Sequence, residues 1–315
     1  MEKLLWSISN LDYDSNFEVV IIEDGSSVTC KDVCLRFRES VNISYHFKPN
    51  SGPGDSRNYG MRKAVGNYFI ILDSDCILPQ EYLKAARAAL QEDYVDCYGG
   101  PDAAHNSFTS LQKAINYSMT SFFTTGGIRG GGEHLDKFQP RSFNMGLSKV
   151  AFEHTNGFGK IHPGEDPDLS IRLWNAGFKT RLIKEAYVYH ERRISWRLFY
   201  NQVHKFGMVR VILNKWHPQT RRLVYWFPTV FIGSVFMAVL FAILGWSIFL
   251  ILISAYSLGI FIDSSIKNGV QIGVMSVLAV FIQFTGYGYG FLRAFYFINI
   301  LKKQEQKQFP NLFFL

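Results

Sequence analysis

Two aspartates two residues apart, Asp73 and Asp75, end the apolar run Tyr68-Phe69-Ile70-Ile71-Leu72. In an extended chain residues i and i+2 face the same way, so both carboxylates can address one cation. Oxygen donors suit Mg²⁺ or Mn²⁺, and such an ion neutralises a diphosphate as a bond to it breaks. The same triplet also suits a solvated turn. Asp166, in Pro163-Gly164-Glu165-Asp166-Pro167, has two readings as well. It fits a helix N-cap, with Pro167 at the first helical position and Gly177 closing the helix after Ala176. At the mouth of a sheet it could instead take a proton from an attacking hydroxyl, with helix amides keeping it ionised. His190 ends the run Ala186-Tyr187-Val188-Tyr189. Its imidazole could ligate a metal or serve as a polar strand end.

These side chains need elements to position them. Residues 17–22 form a β-rich run ending in Glu23-Asp24-Gly25-Ser26, and residues 68–72 form another. Between them residues 55–65 suit a helix closed by Gly66, and residues 81–90 give the next helix after Pro79. This β-α-β order predicts an α/β domain with a largely parallel sheet. Ligands collect beyond the carboxyl ends of such strands, where Asp24, Asp73 and Asp75 stand. Residues 108–123 look helical and lead into Thr124-Thr125-Gly126-Gly127-Ile128-Arg129-Gly130-Gly131-Gly132, whose glycine density predicts a mobile loop. It has neither the Gly-Lys-Ser/Thr ending of a P-loop nor the strand that precedes a dinucleotide fingerprint.

The rest of the 315 residues has a different character. No charged side chain occurs in residues 223–262 or in residues 268–292. A spanning helix needs about 20 apolar residues, so the first run is long enough for a hairpin turning at Gly245 and the second for one more crossing. Arg192, Arg193, Arg197, Lys205, Arg210, Lys215, Arg221 and Arg222 precede the first run with no acid among them, and the net charge is +7. That segment reads as membrane-facing rather than as a nucleic-acid patch, and it places the preceding domain on the cytoplasmic side. Three crossings would put Lys302, Lys303 and Lys307 outside, against the same rule, so two or three spans are expected. Cys30, Cys34, Cys76 and Cys97 form no Cys-x-x-Cys pair, which agrees with a cytoplasmic domain. The expected organisation is a soluble domain over 1–191, a basic juxtamembrane helical segment over 192–222, transmembrane helices over 223–300 and a tail over 301–315.

Taken in order, Glu23-Asp24-Gly25-Ser26, Gly52-Pro53-Gly54-Asp55-Ser56-Arg57-Asn58-Tyr59-Gly60, Asp73-Ser74-Asp75, Asn144-Met145-Gly146 and Gly164-Glu165-Asp166 resemble the family 2 glycosyltransferases. The resemblance covers roughly residues 3–215 and implies the GT-A fold, Rossmann-like and mostly parallel. It implies that Asp24 contacts the nucleotide base, that Arg57 and Asn58 lie against the donor, and that Asp73 and Asp75 bind ribose and metal. Asp166 becomes the base and Glu165 an acceptor-positioning group, giving single-displacement inversion, while His190 completes the metal site. The implied donor is a UDP- or GDP-linked sugar, and the implied acceptor a saccharide or lipid-linked saccharide in cell-envelope glycan synthesis. Processive relatives carry Gln-x-x-Arg-Trp near the basic segment. Here Ser195-Trp196-Arg197 and Asn201-Gln202-Val203-His204-Lys205 stand instead, which favours single-sugar transfer. Family members begin with an apolar strand and a Pro-Val-Tyr-Asn-like loop before a helix like residues 3–9. Its absence motivates a rival reading, an inactive membrane scaffold of the same fold. A nucleotidyltransferase also pairs aspartates with Mg²⁺, but leaves Glu165-Asp166 unexplained.

Overall fold

The computed structural model describes residues 1–103, 108–125, 138–190 and 195–314, with only the backbone of Ala103 and His190. The chain opens with α1 (Glu2–Ser9), β1 (Val19–Asp24), α2 (Lys31–Arg36), β2 (Ile43–Lys48), α3 (Pro53–Lys63), β3 (Tyr68–Leu72), β4 (Cys76–Ile77) and α4 (Tyr82–Glu92). Then come β5 (Cys97–Gly99), β6 (Asp102–Ala103), α5 (Ser110–Thr120), α6 (Phe122–Thr125), β7 (Asn144–Ser148), α7 (Lys149–Thr155), α8 (Glu165–Asn175), β8 (Thr180–Leu182) and β9 (Val188–His190). The last helices are α9 (Trp196–Trp216), α10 (Phe227–Ile243), α11 (Ile248–Asn268), α12 (Val270–Phe295) and α13 (Glu305–Gln308).

These elements form two units. One comprises Met1–His105, Glu133–Glu191 and Phe313–Leu315, the other Asn106–Gly132 and Arg192–Leu312. The expected border at residue 191 therefore takes two amendments. The described residues 108–125 join the helical unit, because Ile115 and Met119 of α5 are buried with Phe199, Val203 and Ala279 of α9 and α12. Residues 313 and 314 join the sheet unit, where Phe313 bridges to Ile161.

In the sheet unit β1 pairs in parallel with β2, while β3-β7-β5-β8 and β4-β9-β6 form two further ladders. The α/β reading holds, but the sheet is mixed rather than mostly parallel. Three of the six described strand pairings, β3–β7, β5–β7 and β4–β9, are antiparallel. Two of these involve β7, which is buried at all five positions between β3 and β5. Residue pattern reports which faces of a strand are buried rather than its direction, and β7, buried on both, shows not even an alternation. β3 does alternate. Its Phe69 and Ile71 pack with Met145, Leu147, Leu169 and Leu173, while Tyr68, Ile70 and Leu72 pack against the cluster around Leu5, Tyr82 and Val188. Side chains on opposite faces of one strand thus serve two cores.

In the helical unit three helices are long and apolar enough to cross a membrane: Leu223–Ile243, Ile248–Asn268 and Val270–Ile300. The chain turns between the first two at Gly245, as expected. α9 lies close along α12, since a Cβ on Gly207 would strike the Tyr287 backbone and one on Gly290 the His204 backbone. The glycine-rich stretch continues through residues 126–132, which lie outside the described residues.

Candidate active site

The parallel register of β1 and β2 sets Asp24 beside Lys48 at the carboxyl ends of both strands. Lys48 Nζ donates to Asp24 Oδ1 at 2.5 Å. The amides of Ser51 and Gly52 donate to Asp24 Oδ1 and Oδ2, both at 3.0 Å. This carboxylate clasps the 48–52 loop and delivers the chain into α3, whose Pro53 occupies the first helical position. Burial alone would raise its pKa, but the bonds from Lys48, Ser51 and Ser56 hold it below the ordinary value. The geometry therefore places Asp24 among donors that shape the loop.

α3 carries Arg57 and Asn58 toward the loop before α8. Arg57 donates to Asp73 Oδ1 at 2.8 Å and to Glu165 Oε1 at 3.1 Å, and lies 5.5 Å from the Phe158 ring centroid. One guanidinium fork thus joins the end of β3 to the start of α8. Buried Asn58 instead accepts from the Phe158 amide at 2.8 Å and donates to its carbonyl at 2.9 Å. These bonds fasten the 157–158 loop to α3.

The N-cap expected at Asp166 lies elsewhere. α8 begins at Glu165, its N-cap is Gly164 with φ 123°, and no side chain caps it. That backbone angle favours glycine, and Asp166 falls at the second helical position. Its carboxylate is not held ionised by a cap, as expected, but driven the other way. Burial and the neighbouring charge of Glu165 raise its pKa to about 6, against the pull of Arg57, Arg141 and a hydrogen bond with Ser142. Its Oδ1 is buried and has no hydrogen-bond partner. A group poised to change protonation near neutral pH, with one lone-pair face unsatisfied, suits a general base.

Glu165, adjacent in sequence, is perturbed oppositely. It is buried, and burial alone would raise its pKa, but the hydrogen bond from His162 and the charges of His162 and Arg57 outweigh this and lower it. His162 Nδ1 lies 2.9 Å from Glu165 Oε1. Sequence reasoning missed His162, Ser142 and Phe314. The Phe314 amide donates to the Lys160 carbonyl at 3.0 Å, and its ring centroid lies 6.1 Å from that of His162. A Cβ on Gly52 would collide with the Phe314 ring. Nothing in the local sequence announces these contacts, because Phe314 lies about 150 residues beyond Lys160 and His162 and about 260 beyond Gly52.

Asp73 is half-exposed and Asp75 exposed, at the turn joining β3 to β4. Cys76 pairs with His190 across the β4–β9 ladder, so the backbone of His190 runs beside Asp75, though its side chain lies outside the described residues. Among the described residues no three His, Cys, Asp or Glu side chains are grouped to hold a metal ion. The donor set fits a hard divalent cation shared with phosphate oxygens, since Mg²⁺ is commonly bound by one or two carboxylates plus substrate.

Residues 1–153 match the family model described as Glycosyl transferase family 2, and this segment is a family 2 glycosyltransferase domain. An uncharacterised glycosyltransferase of Rickettsia felis is 32% identical over 115 residues, 36% of this chain and 18% of that protein. The poly(ribitol-phosphate) beta-N-acetylglucosaminyltransferase TarS of Staphylococcus aureus is 32% identical over 97 residues, 30% of this chain and 17% of that protein. The chain thus matches under a fifth of the length of these two relatives. Among solved structures, the mannosyltransferase PcManGT of Pyrobaculum calidifontis, in complex with GDP-Man and Mn²⁺, aligns with a TM-score of 0.54 and 14% identity. That alignment covers 96% of this chain and 84% of that one, and the fold is GT-A followed by apolar helices.

Proposed function

We propose that this chain is an inverting, non-processive glycosyltransferase that moves one sugar from a UDP- or GDP-linked donor to a saccharide or lipid-linked acceptor in cell-envelope glycan synthesis. The observation that carries the reading is the protonation contrast at the start of α8: Asp166 is raised to about 6 beside a lowered Glu165 tied to Arg57. Asp166 removes the acceptor hydroxyl proton as that oxygen attacks the anomeric carbon. The anomeric C–O bond to the diphosphate breaks, and the nucleoside diphosphate leaves with the electron pair, so configuration inverts. Glu165 stays ionised, orients the acceptor and keeps Arg57 extended toward Asp73. Asp24 and Lys48 shape the loop that receives the nucleotide, and Asn58 holds the neighbouring loop in register. Asp73 and Asp75, with His190, would hold Mg²⁺ or Mn²⁺, which when bound neutralises charge developing on the leaving diphosphate. Mn²⁺ and GDP-Man in the mannosyltransferase of the same fold are compatible with this assignment. The basic segment around α9 and the three apolar helices support a multi-pass cell-membrane protein with its catalytic domain in the cytoplasm.

The chain in detergent, given nucleotide-sugar donors with Mg²⁺ or Mn²⁺ and membrane-extracted acceptors, should hydrolyse or transfer sugar. Asp166→Asn should lower transfer by about 10²–10⁴-fold while leaving donor binding intact. Transfer at the normal rate by that variant would refute the assignment of the base.

A further inference from the structure

The helical unit contains a cavity of about 430 Å³ bounded by α9, the last turns of α12 and residues 308–312. Lys205 from α9 and Arg293 from α12 both line it, with the amides of Asn201 and Asn311 beside them. Among the described residues no carboxylate is part of its wall. Two acids of this unit are engaged elsewhere: Glu305 pairs with Lys215 at 2.6 Å, and Asp263 with Lys267 at 2.8 Å. The Arg293 guanidinium lies 5.6 Å from the Phe309 ring centroid, a stacking that steadies its plane. Besides His204 and Gln308, the remaining wall is apolar, with Leu198, Met208, Phe309 and Leu312.

Helix length sets the depth of this cavity. The third apolar span runs 31 residues, Val270–Ile300. At 1.5 Å per residue that is about 46 Å of helix, against roughly 30 Å of hydrocarbon. Arg293 is the first charged residue after Lys267, with the whole of 268–292 uncharged between them. That excess length lets Arg293, at the charged end of the span, reach the headgroups, and Lys205 of the basic segment lines the same cavity and so stands at the same face.

We infer that this cavity seats the phosphate of an anionic phospholipid headgroup, held by Lys205 and Arg293, with the glycerol and upper acyl chain against its apolar wall. Guanidinium and ammonium donors suit phosphate oxygens, and basic pockets beside membrane helices attract anionic lipid. Inorganic phosphate would meet the same cations but leave the apolar wall uncovered. The inference does not depend on sugar transfer.

Native mass spectrometry of the full chain, delipidated in detergent and offered phosphatidylglycerol or phosphatidylcholine, tests this. The wild type should retain phosphatidylglycerol preferentially, and Lys205→Gln should lower that retention about fivefold, the effect of one cation near a phosphate. Arg293→Lys should keep most of it, and Lys205→Gln with Arg293→Gln should reduce it to the phosphatidylcholine level. Lys302→Gln with Lys303→Gln, outside the cavity wall, should leave it unchanged. Equal retention of both lipids by the wild type, undiminished retention in the Lys205 and Arg293 double variant, or an equal loss in the Lys302 and Lys303 control would overturn the assignment. Displacement of the lipid by inorganic phosphate would also overturn it, in favour of a soluble anion.

Discussion

Asp24 at the end of β1 and Asp166 at the start of α8 are the same residue type in the same unit, in opposite electrostatic states. Asp24 accepts from Lys48 and from two backbone amides, and its pKa is lowered. Asp166 has a buried Oδ1 with no partner, and its pKa is raised to about 6. Burial raises the pKa of both, but the Asp166 carboxylate is the more deeply buried and has the Glu165 charge beside it. Their supply of donors differs as well. A carboxylate saturated by its own loop stays ionised, whereas one with an unsatisfied oxygen keeps a lone pair for an incoming proton. Glu165 sharpens the contrast, because it shares the first turn of α8 with Asp166 yet spends its charge on Arg57 and His162.

The substitutions that bear on this contrast differ in size. Asp166→Asn should lower kcat by about 10²–10⁴-fold, the contribution usual for a general base. It should also stabilise the fold at pH 8. The raised pKa means that ionising Asp166 disfavours the folded state once pH climbs past the ordinary value near 3.8, and the penalty is complete above about 6. Asparagine escapes it, for a gain of roughly 1–3 kcal/mol in chemical denaturation. A variant both inactive and destabilised would break the contrast. Arg57→Ala comes next. It leaves buried Glu165 without its guanidinium partner and should cost about 3–5 kcal/mol, read as a lowered denaturation midpoint. Asp24→Ala should cost about 2 kcal/mol by freeing the Ser51 and Gly52 amides and Lys48. Its acid dependence has the opposite sign to that of Asp166. The lowered pKa makes the wild-type contribution present above the ordinary carboxylate value and lost as pH falls through the folded one, so the variant should show a shallower acid transition. Phe314→Ala should have the smallest effect, about 1 kcal/mol from one aromatic contact with His162, with transfer retained.

Much of this was legible in the sequence because it is local. The β3 run of residues 68–72 reads as a strand from its residue types, and Gly177 ends α8 where the pattern asks. The apolar runs announce their helices, and the second turn, at Gly269, yields three rather than two. The ordered motifs brought Arg57, Asp73, Glu165 and Asp166 into one site, and the structure joins the first three by direct hydrogen bonds. What stayed hidden is non-local. The antiparallel course of β7 leaves no trace in a strand buried on both faces. The cap expected at Asp166 failed because Gly164 could adopt a backbone angle closed to aspartate, which moved the helix start by two residues relative to the Pro167 reading. The elevated pKa of Asp166 comes from its burial and from the Glu165 charge, against the pull of Arg57, Arg141 and Ser142 from other elements, and no spacing rule reports that balance.

The central claim is that Asp166 is the base because burial and the Glu165 charge raise its proton affinity and leave one oxygen unsatisfied. The pH dependence of kcat/KM, followed from about pH 5 to about pH 8 with saturating divalent ion, tests this most directly. The account predicts an acid limb of unit slope with its midpoint near 6, where Asp166 ionises, and its disappearance from the residual activity of Asp166→Asn. A rate flat through pH 6 in the wild type, or an unchanged acid limb in the variant, would contradict it.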